Sequence, residues 1–300
     1  MNKLVKVHAA LFAVSLIYGA NYSIAKEIMP AYMGPFGLIV IRVVSAVLVF
    51  GAISLFITKE KVESRADWGR LVLCGLFGIT LNQLSFFAGL NLTSPINASL
   101  IQTVSPVMVV LLSAYLLKER IEVYRMVGVL LAGLGAMMLI SGKTDAAQGN
   151  WFGDLLILFN AACFGAFLVL VKPLMAKYQA ITVVSRIFLV GSLGSVPFGI
   201  GQVMSPNYGS FPASIWAAIA FVVIGMTILA YLLNIWAMKY ASPSLVGVYI
   251  YLQPMFAIII SVYVGKDLFT WQKALFAAMI FGGVYLVSKP KRRRPEELSR

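Results

Sequence analysis

Apolar residues run through this chain in long unbroken blocks, and short polar or turn-forming stretches separate them. Ten blocks have the length of a membrane-crossing helix, about 17–25 residues. They are 7–26, 34–57, 69–90, 95–117, 123–141, 152–173, 181–203, 213–238, 243–264 and 272–289. Membrane strands would alternate apolar and polar positions with period two. Continuous Leu, Val, Ile, Phe and Ala with interspersed Gly predict helices instead. The connections are short, so neighbouring helices are expected to run antiparallel, and the longest are 58–68, 142–151 and 204–212.

The pattern is written twice. Ser94-Pro95, Pro106, Ser113, Tyr115, Lys118 and Glu119 return 148 positions later as Ser242-Pro243, Pro254, Ser261, Tyr263, Lys266 and Asp267. Gly19-Ala20 and Lys26 return at an offset of 146 as Gly165-Ala166 and Lys172. The polar stretch 142–151 falls midway and divides the chain into repeats at 1–141 and 152–289, with a basic tail at 290–300. Five spans per repeat is an odd number, so the second repeat would enter the membrane upside down. The fold class expected is therefore all-α and integral to the membrane, with ten transmembrane helices in two inverted-topology repeats, a plan shared by many carriers.

Composition agrees: 60% of residues are hydrophobic and 12% charged, against about 45–50% and about 25% in ordinary globular domains. The net charge of +13 would suit a nucleic-acid partner, but its placement points to topology. With a cytoplasmic start, 18 of the 24 basic residues fall on the cytoplasmic side and four (Lys26, Lys143, Lys266 and Lys273) on the other. That bias follows the positive-inside rule and puts both termini in the cytoplasm, with the basic tail touching anionic lipid. The first block has no small-residue cleavage site before a soluble domain and reads as a retained helix. Cys74 and Cys163 lie within spans, where cysteine behaves as a small apolar residue.

Charged and amide groups inside the spans carry the chemistry. Arg42 lies about 12 Å into the second span at a 1.5 Å rise per residue, a depth at which a charge marks function. Arg186 is nearer a membrane face and can snorkel. No Asp or Glu occupies the middle of a span, so the arginine and amides suit an anionic, zwitterionic or neutral solute better than an organic cation. Candidate substrate contacts are Arg42, Asn21, Asn82, Gln83, Gln102, Tyr231, Asn234, Tyr249 and Gln253. Candidate hinge or gate positions are Pro106 and Pro254, expected to kink mid-span, and Gly19 and Gly165, where helices can approach closely. One histidine, His8, and two distant cysteines make no zinc set, and no phosphate loop or dinucleotide fingerprint is present. No cofactor, metal, nucleic-acid partner or enzymatic activity is expected.

Ser15-x3-Gly19-Ala20-Asn21-x4-Lys26, Pro35-x6-Arg42 and Ser94-Pro95-x2-Ala98-Ser99 through Pro106 to Lys118-Glu119 resemble the EamA family of the drug/metabolite transporter superfamily. The resemblance spans almost the whole chain. It implies a ten-helix carrier of the bacterial-type inner membrane, often an exporter of amino acids or other metabolites, with helices three, four, eight and nine around a central cavity. Two other readings are a lipid or lipid-precursor flippase of the same fold and an accessory membrane protein without transport. The second repeat departs from the pattern where Phe167 stands for Asn21 and Phe188 for Arg42.

Overall fold

The computed structural model describes residues 3–58, 60–117, 121–141, 150–238, 240, 249 and 251–288. Most of the expected linker, the tail, and the Lys118-Glu119 and Ser242-Pro243 landmarks lie outside these. The helices are α1 Lys3–Ile28, α2 Pro35–Ile57, α3 Arg65–Leu92, α4 in two pieces (Pro95–Gln102 and Ser105–Leu117), α5 Val123–Ser141, α6 Trp151–Lys177 and α7 Ala180–Met204. They continue as α8, built from Ala213–Ala220, Phe221–Leu229 and Ala230–Met238, then α9 Leu252–Tyr263 and α10 Trp271–Ser288. Among the described residues nine helices are long and apolar enough to cross a membrane, and α9 is a shorter apolar helix. The fold is all-α and of the integral membrane type.

Local sequence sets the helix ends. Pro35 and Pro95 open α2 and α4 at a position whose N–H has no intrahelical partner. Ser94 accepts the Asn97 N–H at 3.2 Å, and Asn150 accepts that of Phe152 at 2.9 Å. The Oε1 of Gln202, from the end of α7, accepts the first N–H groups of α2, Phe36 at 2.9 Å and Gly37 at 3.1 Å. The expectation of mid-span proline kinks is corrected here. α4 breaks at Thr103 and Val104, and Pro106 is the second residue of the piece that follows; Pro254 is the third residue of α9. Both prolines sit in the first turn of the described piece that contains them, a position where a missing N–H is tolerated.

The most extensive packing pairs α2 with α7 and α5 with α10. α3 lies on α6 and α1 on α8, α1 lies on α9 and α4 on α6, and α4 meets α9. Exchanging each helix with the one five places along maps every one of these pairs onto another of them or onto itself. The correspondence reaches single residues. A Cβ on Gly19 would fall 2.5 Å from the Phe256 Cβ, and one on Gly165 would fall 3.0 Å from the Met108 Cβ. Met108 and Phe256 are 148 positions apart. The two glycines are thus the crossing points of α1 on α9 and of α6 on α4.

Polar links fasten both ends of the bundle. At the end holding the α1 C-terminus, Lys26 Nζ donates to the Thr93 carbonyl at 2.5 Å, and the Thr93 hydroxyl donates to the buried Asp154 carboxylate. Glu27 pairs with Lys266 at 2.9 Å. Asp267 pairs with Lys273 at 2.7 Å and accepts the Ile96 N–H, in the first turn of α4, at 3.2 Å. At the other end the Asp67 carboxylate accepts from Lys177 and from the Tyr178 hydroxyl, and Tyr249 bonds His8 Nδ1 at 2.8 Å.

The α5–α10 seam rests on two facing glycines, since a Cβ on Gly283 would lie 2.5 Å from both the Gly128 carbonyl oxygen and the Ala132 nitrogen. Gly283→Leu should destabilise the protein by about 1–3 kcal/mol through overpacking. Gly133→Leu on the same helix as Gly128, where a Cβ meets nothing within 4 Å, should leave it unchanged. Melting temperatures of the two variants in detergent check this, and equal temperatures would contradict the seam.

Candidate functional site

Arg42 is the centre of the polar interior. Its position near the middle of α2 turns it away from lipid, and it is 5% exposed. The guanidinium donates from Nε to the Thr227 hydroxyl of α8 at 2.9 Å and from Nη1 to the Gln83 Oε1 of α3 at 2.6 Å. It also lies over the Phe87 ring, 5.0 Å from the centroid, a favourable cation–π placement in a desolvated site. Tyr18 and Tyr231 are close enough to interact with it electrostatically. No carboxylate among the described residues pairs with it.

Behind Gln83 the amides form a chain. Gln83 Nε2 donates to Asn82 Oδ1 at 3.1 Å, and Asn82 Nδ2 donates to the Asn160 carbonyl at 3.3 Å. Asn160 Nδ2 returns a bond to the Asn82 carbonyl at 2.7 Å. This reciprocal pair ties α3 to α6 and fixes the direction of the amide dipoles, so the acceptor end of Gln83 faces the cation. Among the described residues only neutral groups accept from this buried charge, a costly arrangement.

The structure joins four of the nine sequence candidates here: Arg42, Gln83 and Asn82 by hydrogen bonds, and Tyr231 by its field. Tyr231 also closes an aromatic cluster with Phe50 and Phe188, at centroid distances of 5.8 and 5.6 Å. Gln102 bonds locally to Ser105 at 3.2 Å across the break in α4, and its Oε1 is buried without a partner. Tyr249 is occupied by His8 through its hydroxyl and by Ser15 through its carbonyl at 2.6 Å. Asn234 and Gln253 are half-buried and form no side-chain hydrogen bond among the described residues. Asn21 is 1% exposed, and neither polar atom of its amide has a partner. Such a group is one of the costly exceptions to buried-polar pairing.

Sequence reasoning missed Thr227, Asn160 and Gln202. A signal for the first exists: Gly78-Ile79-Thr80 recurs as Gly225-Met226-Thr227, an offset of 147. Thr80 donates to the Gly191 carbonyl of α7 at 3.1 Å, whereas Thr227 accepts from the Arg42 side chain of α2. Among the described residues no group of three or more His, Cys, Asp and Glu side chains comes together to hold a metal.

These features match known proteins over the full length. The model of the EamA-like transporter family matches residues 6–141 and 151–289. The chain is 24% identical over 293 residues to the uncharacterized transporter YyaM of Bacillus subtilis, covering 95% of this chain and 94% of that one. It is 26% identical over 285 residues to an uncharacterized transporter of Archaeoglobus fulgidus, covering 94% and 97%. A WAT1-related protein of Arabidopsis thaliana, At3g53210, is 24% identical over 310 residues and is 80% covered. A solved crystal structure shares the fold with a TM-score of 0.61, at 22% identity over 94% of this chain and 96% of that one. A ten-segment helical membrane fold matched end to end by one family model leaves a single assignment: the chain belongs to the EamA-like transporter family.

Proposed function

We propose that the protein is a secondary carrier that exports or exchanges small anionic or zwitterionic metabolites, such as amino acids, by alternating access, and that Arg42 anchors the cargo. The observation that carries this reading is a guanidinium deep in the bundle, met only by neutral acceptors and an aromatic face. A cargo carboxylate supplies the missing counter-charge, as a charge-assisted bond of the stronger kind. Gln83, Asn82, Tyr18 and Tyr231 line the same region, while Asn21, Gln102, Asn234 and Gln253 offer further polar contacts.

The exchangeable packing pairs support two inverted repeats, 1–141 and 152–289, that rock against each other. Gly19 and Gly165 are the points about which α1 and α6 turn on their partners, and Pro106 and Pro254 mark segment starts that tolerate rearrangement. The Asp267–Lys273 pair on the first turn of α4 and the Glu27–Lys266 pair hold the gate at the α1 C-terminal end closed. The basic-residue bias supports an inner (plasma) membrane setting with both termini cytoplasmic and that gate on the far side.

A second reading, lipid or lipid-precursor flipping, is favoured by one feature. A groove of about 350 Å³ opens between the end of α1 and the start of α8, lined by Ile24, Glu27, Ile215, Ala218 and Phe221 among others. It is largely apolar and could admit an acyl chain.

Flux assays in proteoliposomes separate the readings. A labelled panel of carboxylates, amino acids, neutral solutes and organic cations is tested beside fluorescent-lipid scrambling. Saturable flux of a carboxylate-bearing solute is expected, with Arg42→Gln lowering its apparent affinity by roughly 10–100-fold, the worth of a buried charged hydrogen bond, in normally folded protein. Lipid scrambling without solute flux would favour the second reading. No flux of either kind would remove both.

A further inference from the structure

The two acceptors on Arg42 come from α3 and α8, helices that correspond in the repeat, and both depart from α-helical winding beside the contact. α3 is π-helical over Leu76–Thr80, three residues before Gln83, and α8 is π-helical over Phe221–Leu229, which contains Thr227. A π turn shifts the ladder to the fifth residue and recurs at functional positions. Thr227 uses that shift. Its hydroxyl donates to the Val222 carbonyl, five residues back, at 2.9 Å. With its proton committed there, the oxygen can only accept toward Arg42, and it takes the Nε–H.

The arrangement is built once. At the matching site in the other half, the Thr80 hydroxyl donates to the Gly191 carbonyl and holds no cation among the described residues. So the threonine is retained in both halves while its directed acceptor serves a guanidinium only in α8. With Nε held by Thr227 and Nη1 by Gln83, the plane of the guanidinium is fixed by two helices at once. Of its five N–H donors, those of Nη2 have no acceptor among the described residues.

We propose that Thr227 is a positioning residue that, with Gln83, locks the plane of Arg42 so that its Nη2 donors meet a carboxylate of the cargo in one orientation. This rests on Arg42 being the cargo anchor. Planar, two-point recognition of a carboxylate is what a guanidinium offers beyond a point charge, and it is lost when the plane can rotate.

Binding of [14C]benzoate to purified protein in detergent tests the proposal without requiring transport. Wild-type protein should bind saturably and Arg42→Gln should not. Thr227→Val, which keeps the shape and removes the directed oxygen, should weaken binding about tenfold, and Thr227→Ser should restore it. Thr227→Ala gives a second hydroxyl-free variant if the valine form does not fold, with melting temperature recorded for each. A merely structural role would lower the melting temperature while leaving the affinity of the folded fraction unchanged, and that result overturns the proposal. No binding to wild type, or equal loss in the serine and valine forms, overturns it too. Arg42-dependent flux of a carboxylate solute beside benzoate affinity that Thr227→Val leaves unchanged would sink this inference and leave the carrier reading standing. Benzoate binding that depends on Arg42 and Thr227, with no flux of any solute, would keep the locked guanidinium as a carboxylate site and remove the carrier reading.

Discussion

A positive charge in the middle of a bilayer-spanning bundle has to be solvated by protein groups, and the interior is arranged around that requirement. A guanidinium left without partners is expensive at this depth in a membrane. Arg42 meets part of the requirement with a hydroxyl from α8, an amide from α3 and a phenyl face, all neutral, which leaves Nη2 for a cargo. Each partner has to be held in turn. Gln83 is oriented by Asn82, Asn82 by the reciprocal pair with Asn160 of α6, and Thr227 by the Val222 carbonyl that π winding exposes. One buried charge thus constrains α2, α3, α6 and α8, and no acid among the described residues cancels it.

The scaffold around this centre is close to symmetric, and the centre is not. Gly19 against Phe256 and Gly165 against Met108 are one contact made twice. The most extensive helix pairings map onto one another when the halves are exchanged. Yet Phe188 stands for Arg42 and Phe167 for Asn21 at the offset of 146, and Ala230 falls where the Gly-x-Thr register would put the partner of Gln83. Repetition fixes backbone crossings that any cargo would use. Side chains at the crossings are free to differ, and the difference is where the polar network around Arg42 arises.

Much of this was readable along the chain. Block lengths, the repeat at 146–148 positions and the depth of Arg42 follow from hydrophobic length and helical rise, which depend on sequence alone. The polar candidates inside the spans were a different matter. Asn82 and Gln83 found the arginine, Tyr249 was taken by His8 and Ser15, and Asn234 and Gln253 bond nothing among the described residues, though all look alike in a row of apolar neighbours. Which amide reaches which donor depends on helix rotation, and that is set by packing across the two halves. The same applies to Pro106 and Pro254. A proline within a long apolar block reads as a kink, but the break at Thr103 and Val104 turns it into a helix start. Thr227 was hidden because its role depends on π winding, which a pattern of period 3.6 does not reveal.

The most direct measurement asks whether the region around Arg42 opens to both sides of the membrane. Tyr18, which lies within the electrostatic reach of Arg42, is replaced by cysteine in a protein whose Cys74 and Cys163 are alanine. A membrane-impermeant maleimide is then applied to one face or the other of oriented vesicles. Labelling from each face, slowed in both cases by a transported carboxylate, is the result that alternating access around this site predicts. Labelling from one face only, or labelling that the carboxylate leaves untouched, would contradict it.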